Sequence, residues 1–286
     1  MEASILSKVV LPLSLFIIML GMGLSLNIND FKQVGKSPKA VTIGLICQMV
    51  MLPLIGFFVA IGFGLSPTLA IGIFILCLCP GGVTSNLFCY LSRGNVALSI
   101  SLTAIVSLIT PFTIPIFAAI GMTYFLEGGR TIELPLVKTI TTLIAITLVP
   151  VGLGMTIRKK WHNVAQKAEK PVKILSMAFL FIIIGGIAQQ NWDNIPSFFA
   201  QIGMAAFILN VVTMLLGYFI PSFLGLETKD CVSIGVEVGI QNGTTALFIT
   251  STLLEDPVMS IPAATYSLIM FATGAAYAYF WQKKIT

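Results

Sequence analysis

Long apolar runs divided by short polar turns are the feature that most restricts what this chain can fold into. Hydrophobic residues make up 57% of its 286 residues and charged residues only 9%, whereas a soluble domain needs roughly a quarter of its residues charged. Apolar runs of this length form helices that cross a lipid bilayer. We therefore predict an all-α polytopic membrane protein with nine transmembrane helices, covering about residues 8–26, 39–63, 67–91, 95–122, 132–157, 171–190, 196–225, 229–254 and 259–282.

The basic residues are distributed unevenly between the two predicted sides of the membrane. If the N-terminus lies outside, thirteen of the sixteen Lys and Arg residues fall on the inner side, and Lys8, Arg130 and Lys138 remain outside. Cytoplasmic loops carry the excess of basic residues. We therefore predict an integral protein of the bacterial inner membrane, with its N-terminus outside and its C-terminus in the cytoplasm.

The same topology explains the net charge of +5, which therefore does not indicate nucleic acid binding. The sequence gives no sign of an obligatory protein partner. The longest polar stretch, about Arg158 to Lys170, is expected to be a loop.

One acidic residue lies where a charged side chain is costly. Ten of the eleven acidic residues fall in predicted tails, loops or helix ends, but Glu237 lies midway through the eighth predicted span. A charge at the centre of a bilayer costs at least about 3 kcal/mol, and no Lys, Arg or His lies at matching depth in another predicted span. Glu237 is therefore expected to face a polar cavity, where a bound cation neutralises it or where it is protonated.

Two predicted spans are interrupted at matching positions. The eighth contains Gly235, Gly239 and Gly243 around Glu237, and the third contains Pro80-Gly81-Gly82. Pro removes a backbone donor and Gly weakens a helix. A lone Pro-Gly-Gly segment is more often a kink. However, if the fold is a pair of five-helix inverted repeats that lacks its first helix, both breaks fall in the fourth helix of a repeat, as expected for a transporter's binding site.

Two motifs make the chain similar, over nearly its whole length, to the bile acid:sodium symporter family. They are Cys79-Pro80-Gly81-Gly82 with Ser85-Asn86 and Arg93-Gly94-Asn95-Val96-Ala97-Leu98-Ser99, and Glu237-Val238-Gly239-Ile240-Gln241-Asn242. The resemblance implies an inverted-repeat transporter with two crossing discontinuous helices, which couples a small organic anion to two sodium ions by alternating access. It also implies a core domain, about residues 39–122 and 196–282, and a panel domain, about residues 8–26 and 132–190.

The resemblance carries over two sodium sites, residue by residue. One would use the side chains of Ser85, Asn86, Ser99, Thr103 and Glu237; the other would use Gln48, Gln241 and Glu237 with carbonyls near Val238 and Ile240. Sodium is a hard cation that takes several oxygen ligands, and residues four apart, such as Ser99 and Thr103, share a helix face. Taken singly, a Ser or Thr in a span more often packs or bonds to its own backbone, so the prediction depends on the set.

The predicted substrate contacts lie where the two broken helices cross. Half-helices that begin near Val83 and Asn242 would aim backbone N–H groups at a carboxylate or sulfonate. The candidate substrate-binding residues are Val83, Thr84, Asn210, Asn242, Met270 and Phe271. The chain departs from the family here, because Leu209-Asn210 and Met270-Phe271 stand where family members have His-Asn pairs, and so a bile acid is not carried over as the substrate.

Other functions stay open on the sequence. Glu237 could carry a proton instead of sodium, which would make the chain a proton-coupled anion carrier. A passive channel fits the paired breaks less well than alternating access does. An intramembrane enzyme would need paired Asp residues, Ser with His, or HExxH at membrane depth; the predicted spans contain none of these, and no enzyme activity is expected. A membrane receptor would bind its ligand without transporting it.

Overall fold

The computed structural model describes residues 6–31, 33–126, 135–190 and 195–285, and helices account for nearly all of them. In chain order the α-helices are α1 (Leu11–Ser25), α2 (Ile28–Phe31), α3 (Gln33–Lys36), α4 (Pro38–Ile46), α5 (Leu52–Gly62), α6 (Pro67–Leu78), α7 (Val83–Leu91), α8 (Val96–Phe125), α9 (Leu136–Leu143), α10 (Val149–Lys160), α11 (His162–Gln190), α12 (Ile195–Phe223), α13 (Thr228–Gly239), α14 (Gly243–Phe248) and α15 (Ile261–Lys284). Single π-helical turns extend or join several of them, at Leu6–Val10, Cys47–Met51, Ile144–Leu148 and Ile249–Leu253, and a 3₁₀ turn, Val258–Ser260, precedes α15.

Six helical segments of the described residues are long and apolar enough to cross a membrane: Lys8–Ser25, Pro38–Gly62, Val96–Phe125, Leu136–Lys160, Phe199–Phe223 and Val258–Lys284. The chain is therefore an all-α integral membrane protein. The predicted third and eighth spans are each divided by a break, and the first halves, α6 and α13, have 12 residues each, too few to cross alone. The count of nine spans and the inverted repeat stay predictions, and the predicted start of the fifth span, residue 132, lies outside the described residues.

The polar stretch predicted as a loop is mostly helical, so that prediction is wrong. α10 runs to Lys160 and α11 begins at His162, which leaves Trp161 alone between them. Ala, Gln, Lys and Glu are frequent between residues 162 and 170, and they are strong helix formers. The polarity of this stretch therefore does not exclude a helix.

The outer surface of the helix bundle carries many large apolar side chains, unlike the surface of a soluble protein. Large apolar side chains face outward on several helices; Phe58 is 66% exposed and Ile120 is 58% exposed. Gln48, Asn210 and Glu237 are buried instead. An apolar surface is stable against lipid, whereas polar groups are costly there and collect inside the helix bundle.

Close helix packing brings α1 against α10. A Cβ atom added at Gly23 would lie 2.2 Å from the carbonyl oxygen of Val151, and one added at Gly154 would lie 2.4 Å from that of Leu20. Small residues at membrane helix contacts let two backbones approach closely. α11 also packs on α1 and α10, while α12 packs on α13 and α15, and α6 on α5 and α8.

Candidate ion and substrate site

Two breaks in the helices meet near the middle of the bundle. One separates α6 from α7 at residues 79–82, and the other separates α13 from α14 at residues 240–242. Gly81 and Gln241 pair in antiparallel fashion across the crossing, and the N–H of Asn242 donates to the carbonyl of Pro80 over 2.9 Å. Both interruptions that the sequence indicates are thus present. Backbone groups that each break releases from its helix form hydrogen bonds with backbone groups of the other break.

Side chains cap both helix ends that the second break creates. The carbonyl of Gly239, at the end of α13, accepts from Asn210 Nδ2 and from the Tyr266 hydroxyl, each at 2.8 Å. At the start of α14, Asn242 Oδ1 accepts from the N–H of Thr245 over 3.1 Å. A break in a membrane helix is stable only where such partners satisfy its backbone.

The Glu237 carboxylate is buried among hydroxyl groups. Its side chain is 2% exposed; Ser99 donates to Oε1 over 2.5 Å and Thr103 donates to Oε2 over 2.7 Å. Among the described residues, its hydrogen-bond partners are hydroxyls and not basic side chains. The first predicted sodium site is completed by Asn86, whose Oδ1 lies 2.9 Å from Ser99 Oγ, and by Ser85, whose Oγ lies 3.4 Å from Thr103 Oγ1.

The hydroxyl groups of this cluster supply fewer protons than its oxygens could accept. Ser99 has one proton, yet its oxygen touches both Glu237 Oε1 and Asn86 Oδ1. Ser85 donates its proton to the carbonyl of Gly82 over 2.7 Å, and that of Thr103 goes to Glu237. The oxygens of this cluster thus have lone pairs that the described hydroxyl protons do not fill, and a cation or an added proton would stabilise the buried carboxylate among them.

A second polar cluster lies on the other side of the Glu237 backbone. Gln48, in the π-helical turn Cys47–Met51, donates from Nε2 to Gln241 Oε1 over 2.9 Å and to the carbonyl of Cys79 over 3.2 Å. Gln241 Nε2 in turn donates to the carbonyls of Glu237 and Val238, at 3.2 Å and 2.7 Å.

The Gln48 side chain is 3% exposed, and its Oε1 has no hydrogen-bond partner among the described residues. Ile240, the remaining predicted ligand, follows α13, and its N–H donates to the carbonyl of Val236. The structure therefore brings the side chains of both predicted sets, with the Val238 carbonyl, together near Glu237, while sodium binding itself stays a prediction.

A small cavity of about 60 Å³ opens beside the crossing. Four of the six predicted substrate residues line it, namely Val83, Thr84, Asn242 and Met270. Ile18 of α1 and Leu180 of α11 close the opposite side. Ligand sites for drug-sized molecules measure about 300–1,000 Å³, so a larger substrate would require these helices to separate.

The other two predicted substrate residues lie away from this cavity. Asn210 is fully buried behind the second break, where it caps Gly239. Phe271 stacks on Phe181 with ring centres 5.8 Å apart, and it lies 6.0 Å from the ring of Phe88. In this arrangement Asn210 holds the backbone that carries the site, and Phe271 packs between α7 and α11.

Comparison with known proteins relates the whole arrangement to a transporter family. The family model for the "Sodium Bile acid symporter family" matches residues 12–198, more than half of the chain. The chain belongs to the sodium bile acid symporter family. This family consists of transporters and not of enzymes.

Individual relatives match over most of the chain. The Bacillus subtilis (strain 168) protein named "Uncharacterized sodium-dependent transporter YocS" is 29% identical over 94% of this chain and 82% of its own length. The Oryza sativa subsp. japonica protein named "Probable sodium/metabolite cotransporter BASS1, chloroplastic" is 28% identical over 92% of this chain and 64% of its own length. The "Ileal sodium/bile acid cotransporter" of Oryctolagus cuniculus is 31% identical over 84% of this chain and 68% of its own length.

Two further residues, Tyr266 and Gly81, contact the site, although the sequence analysis does not include them among the predicted site residues. Tyr266 caps the break, and a Tyr in the middle of a span could have been identified by its need for a buried partner. At Gly81 an added Cβ would lie 2.6 Å from Glu237 Oε2, so only a glycine leaves room for the carboxylate. The sequence suggests Gly81 as a helix breaker, whereas its contact with Glu237 is visible only in the fold.

Proposed function

We propose that the chain is a secondary active symporter that couples sodium ions to a small organic anion by alternating access. The observation that carries this proposal is the buried Glu237 carboxylate, whose described hydrogen-bond partners are hydroxyl groups, close to the buried Gln48 Oε1, which has no described partner. A buried carboxylate without a basic partner is costly, and a hard cation with several oxygen ligands removes that cost. The names of the relatives, which pair sodium with a bile acid or a metabolite, support the same coupling.

Two sodium ions fit the two clusters. The first would take the Glu237 carboxylate with oxygens of Ser85, Asn86, Ser99 and Thr103. The second would take Gln48 Oε1, Gln241 Oε1 and the carbonyls of Glu237 and Val238. Gln241 Nε2 donates to both carbonyls in this structure, so both glutamine amides must reorient when the ion binds, because turning only that of Gln241 would set its Nε2 against Gln48 Nε2.

The substrate would bind in the cavity beside the crossing. The N–H groups of Val83 and Thr84 at the start of α7, and that of Thr244 near the start of α14, lie ahead of the first helical hydrogen bonds, and such groups favour a negatively charged ligand. Asn242 adds an amide, and Met270 and Leu180 offer an apolar surface for the rest of the molecule. We propose a small carboxylate or sulfonate, admitted when the panel helices α1, α10 and α11 move away from the core helices.

Sodium dependence of transport tests the proposal directly. Small carboxylates and sulfonates are first screened by thermal shift of the purified protein with and without sodium, and uptake of the hits is then measured in proteoliposomes. Uptake is expected with sodium in the medium and not with potassium at the same concentration. Equal uptake in the two salts would refute sodium coupling.

Replacement of the proposed ligands should remove the response to sodium. Glu237→Gln and Gln241→Ala are expected to abolish sodium-dependent thermal stabilisation, because each removes an oxygen ligand from a site that needs several. Glu227→Gln changes an exposed carboxylate ahead of the same helix α13 and is the matched control, which should keep the full stabilisation. Persistence of the shift in both ligand variants would show that the ions bind elsewhere.

Coupling to protons is the second candidate, and one observation favours it. A protonated Glu237 could donate to Ser99, whose own proton would then pass to Asn86, and the chain of hydrogen bonds would be complete. Uptake driven by a pH gradient in sodium-free medium would establish this function. Uptake that follows sodium at fixed pH on both sides would exclude it.

A further inference from the structure

A row of hydroxyl groups continues from the Glu237 cluster along α8. Ser99, Thr103, Ser107 and Thr110 are three or four residues apart, so they share one helix face, and each is at most 4% exposed. The first two contact Glu237, while the last two reach a separate small cavity. The row extends about 16 Å along the helix axis, at about 1.5 Å per residue.

Four of the nine described residues that line the second cavity carry a hydroxyl group, and the other five are apolar. Ser107 and Thr110 of α8, Thr147 of the π-helical turn Ile144–Leu148 and Thr245 of α14 face it, and Pro80 of the first break forms part of its wall. Its volume is about 10 Å³, which is room for a single water-sized particle. It lies against the crossing, as the Glu237 cluster does, but no acidic or basic side chain is among the residues that line it.

Several oxygens here have lone pairs to offer. Thr245 is 2% exposed, and its Oγ1 has no hydrogen-bond partner in the described part of the chain. Thr147 donates its proton to the carbonyl of Leu143 over 2.7 Å, which leaves the lone pairs of its own oxygen available. Pro111 has no N–H to give to the carbonyl of Ser107, four residues earlier, so this carbonyl lacks its usual helical donor.

We propose that this cavity is a third cation station, of low affinity, through which sodium ions pass on their way to or from the Glu237 cluster. The proposal rests on the proposed sodium coupling. Neutral hydroxyl and carbonyl oxygens suit a hard cation, and the lack of a carboxylate makes binding weak enough for release. Passage of ions requires such intermediate binding, favourable enough to enter and weak enough to leave.

The test separates the rate of sodium binding from its equilibrium. Thr245→Val and Thr110→Val, which keep the side-chain shape, are made singly and together, with Thr113→Val as the matched control because Thr113 lies on α8 but does not line the cavity. The rate of sodium binding is measured by stopped-flow tryptophan fluorescence, and the equilibrium midpoint by sodium titration of thermal stability. Each cavity variant is expected to slow binding by about tenfold, the strength of one polar contact to a charge, with an unchanged midpoint.

Thr245→Ser provides the rescue, because it retains the hydroxyl and should bind sodium at nearly the wild-type rate even if a valine at this position disturbs packing. The proposal would be overturned if sodium bound to both valine variants as fast as it binds to Thr113→Val. The cavity would then be a water site only. A shifted midpoint together with a slower rate would also overturn it, since these hydroxyls would then belong to a stable binding site. A wild-type protein that gives no sodium response at all would instead reject the proposed function, and the station with it.

Discussion

Single residues at the crossing are held in place by contacts that leave little freedom. Glu237 has two hydroxyl donors at 2.5 Å and 2.7 Å, and both come from one face of α8, at positions four residues apart. The carboxylate therefore keeps one orientation, with Gly81 of the other break against Oε2. A preformed position of this kind lowers the ordering cost when an ion binds.

Gly81→Ala should disturb this position without removing any ligand. Its Cβ would lie 2.6 Å from Glu237 Oε2, so the carboxylate or the backbone must shift, and overpacking of this kind costs about 1–3 kcal/mol. Sodium affinity is expected to fall by about tenfold or more, as measured by sodium titration of thermal stability. The neighbouring Gly82→Ala is the control, because its Cβ would meet nothing closer than 3.4 Å and affinity should stay near wild type. Equal effects of the two substitutions would contradict the steric argument.

At the scale of secondary-structure elements, the two broken helices depend on partners outside themselves. α13 ends at a carbonyl with two side-chain donors, from α12 and α15, and α14 begins with its own cap, Asn242. The extended segment between them is tied to the first break by the bond from Asn242 to Pro80. The breaks are thus built from tertiary contacts as much as from the local Gly and Pro residues.

Tyr266→Phe and Asn210→Leu should show this shared capping as non-additive changes in stability. Each substitution leaves the Gly239 carbonyl one donor and is expected to lower the free energy of unfolding by about 1 kcal/mol. The double substitution leaves a buried carbonyl unsatisfied and should cost more than the sum of the two. Chemical unfolding in detergent measures these values, and strict additivity would argue against a common acceptor.

At the scale of the whole molecule, the packing of helices suggests which parts move together. α1, α10 and α11 pack on one another through close glycine contacts, and α12, α13 and α15 form another set. The proposed substrate cavity lies where α1 and α11 meet the crossing. Core and panel domains stay a prediction, and a substrate bound in this cavity would lie at the boundary that a rocking motion would open.

The proposed stoichiometry of two sodium ions to one monoanion makes transport electrogenic. One net positive charge would enter with each substrate, which is worth about 2.3 kcal/mol at 100 mV. An inside-negative potential of about 100 mV should therefore raise steady-state accumulation in proteoliposomes by roughly fortyfold. The potential is set by valinomycin and a potassium gradient, with vesicles lacking the gradient as the control. Accumulation that ignores the potential would indicate one sodium ion per monoanion.

Local sequence predicted the structure correctly where one residue type strongly favours or disfavours a helix. Pro80 and the glycines near Glu237 predicted both breaks, because Pro lacks a donor and Gly weakens a helix. Ser99 and Thr103 were placed on one face by their spacing alone.

In contrast, the polar stretch after Lys160 is helical, because helix propensity and polarity are separate properties. Asn210 stays a predicted substrate contact, but its cap on the neighbouring helix α13 was not foreseen, because the spacing of residues along one span does not tell which of its faces meets which partner.

The sequence by itself determined that this chain lies in a membrane, where its helices break and which carboxylate has no basic counterpart, because the high cost of polar groups in lipid leaves few alternatives. Only the tertiary structure decided which oxygens surround that carboxylate, that Gly81 makes room for it and that Tyr266 closes the break. The contacts of Glu237 join residues more than a hundred positions apart, and the geometry of all these contacts depends on how helices rotate and cross.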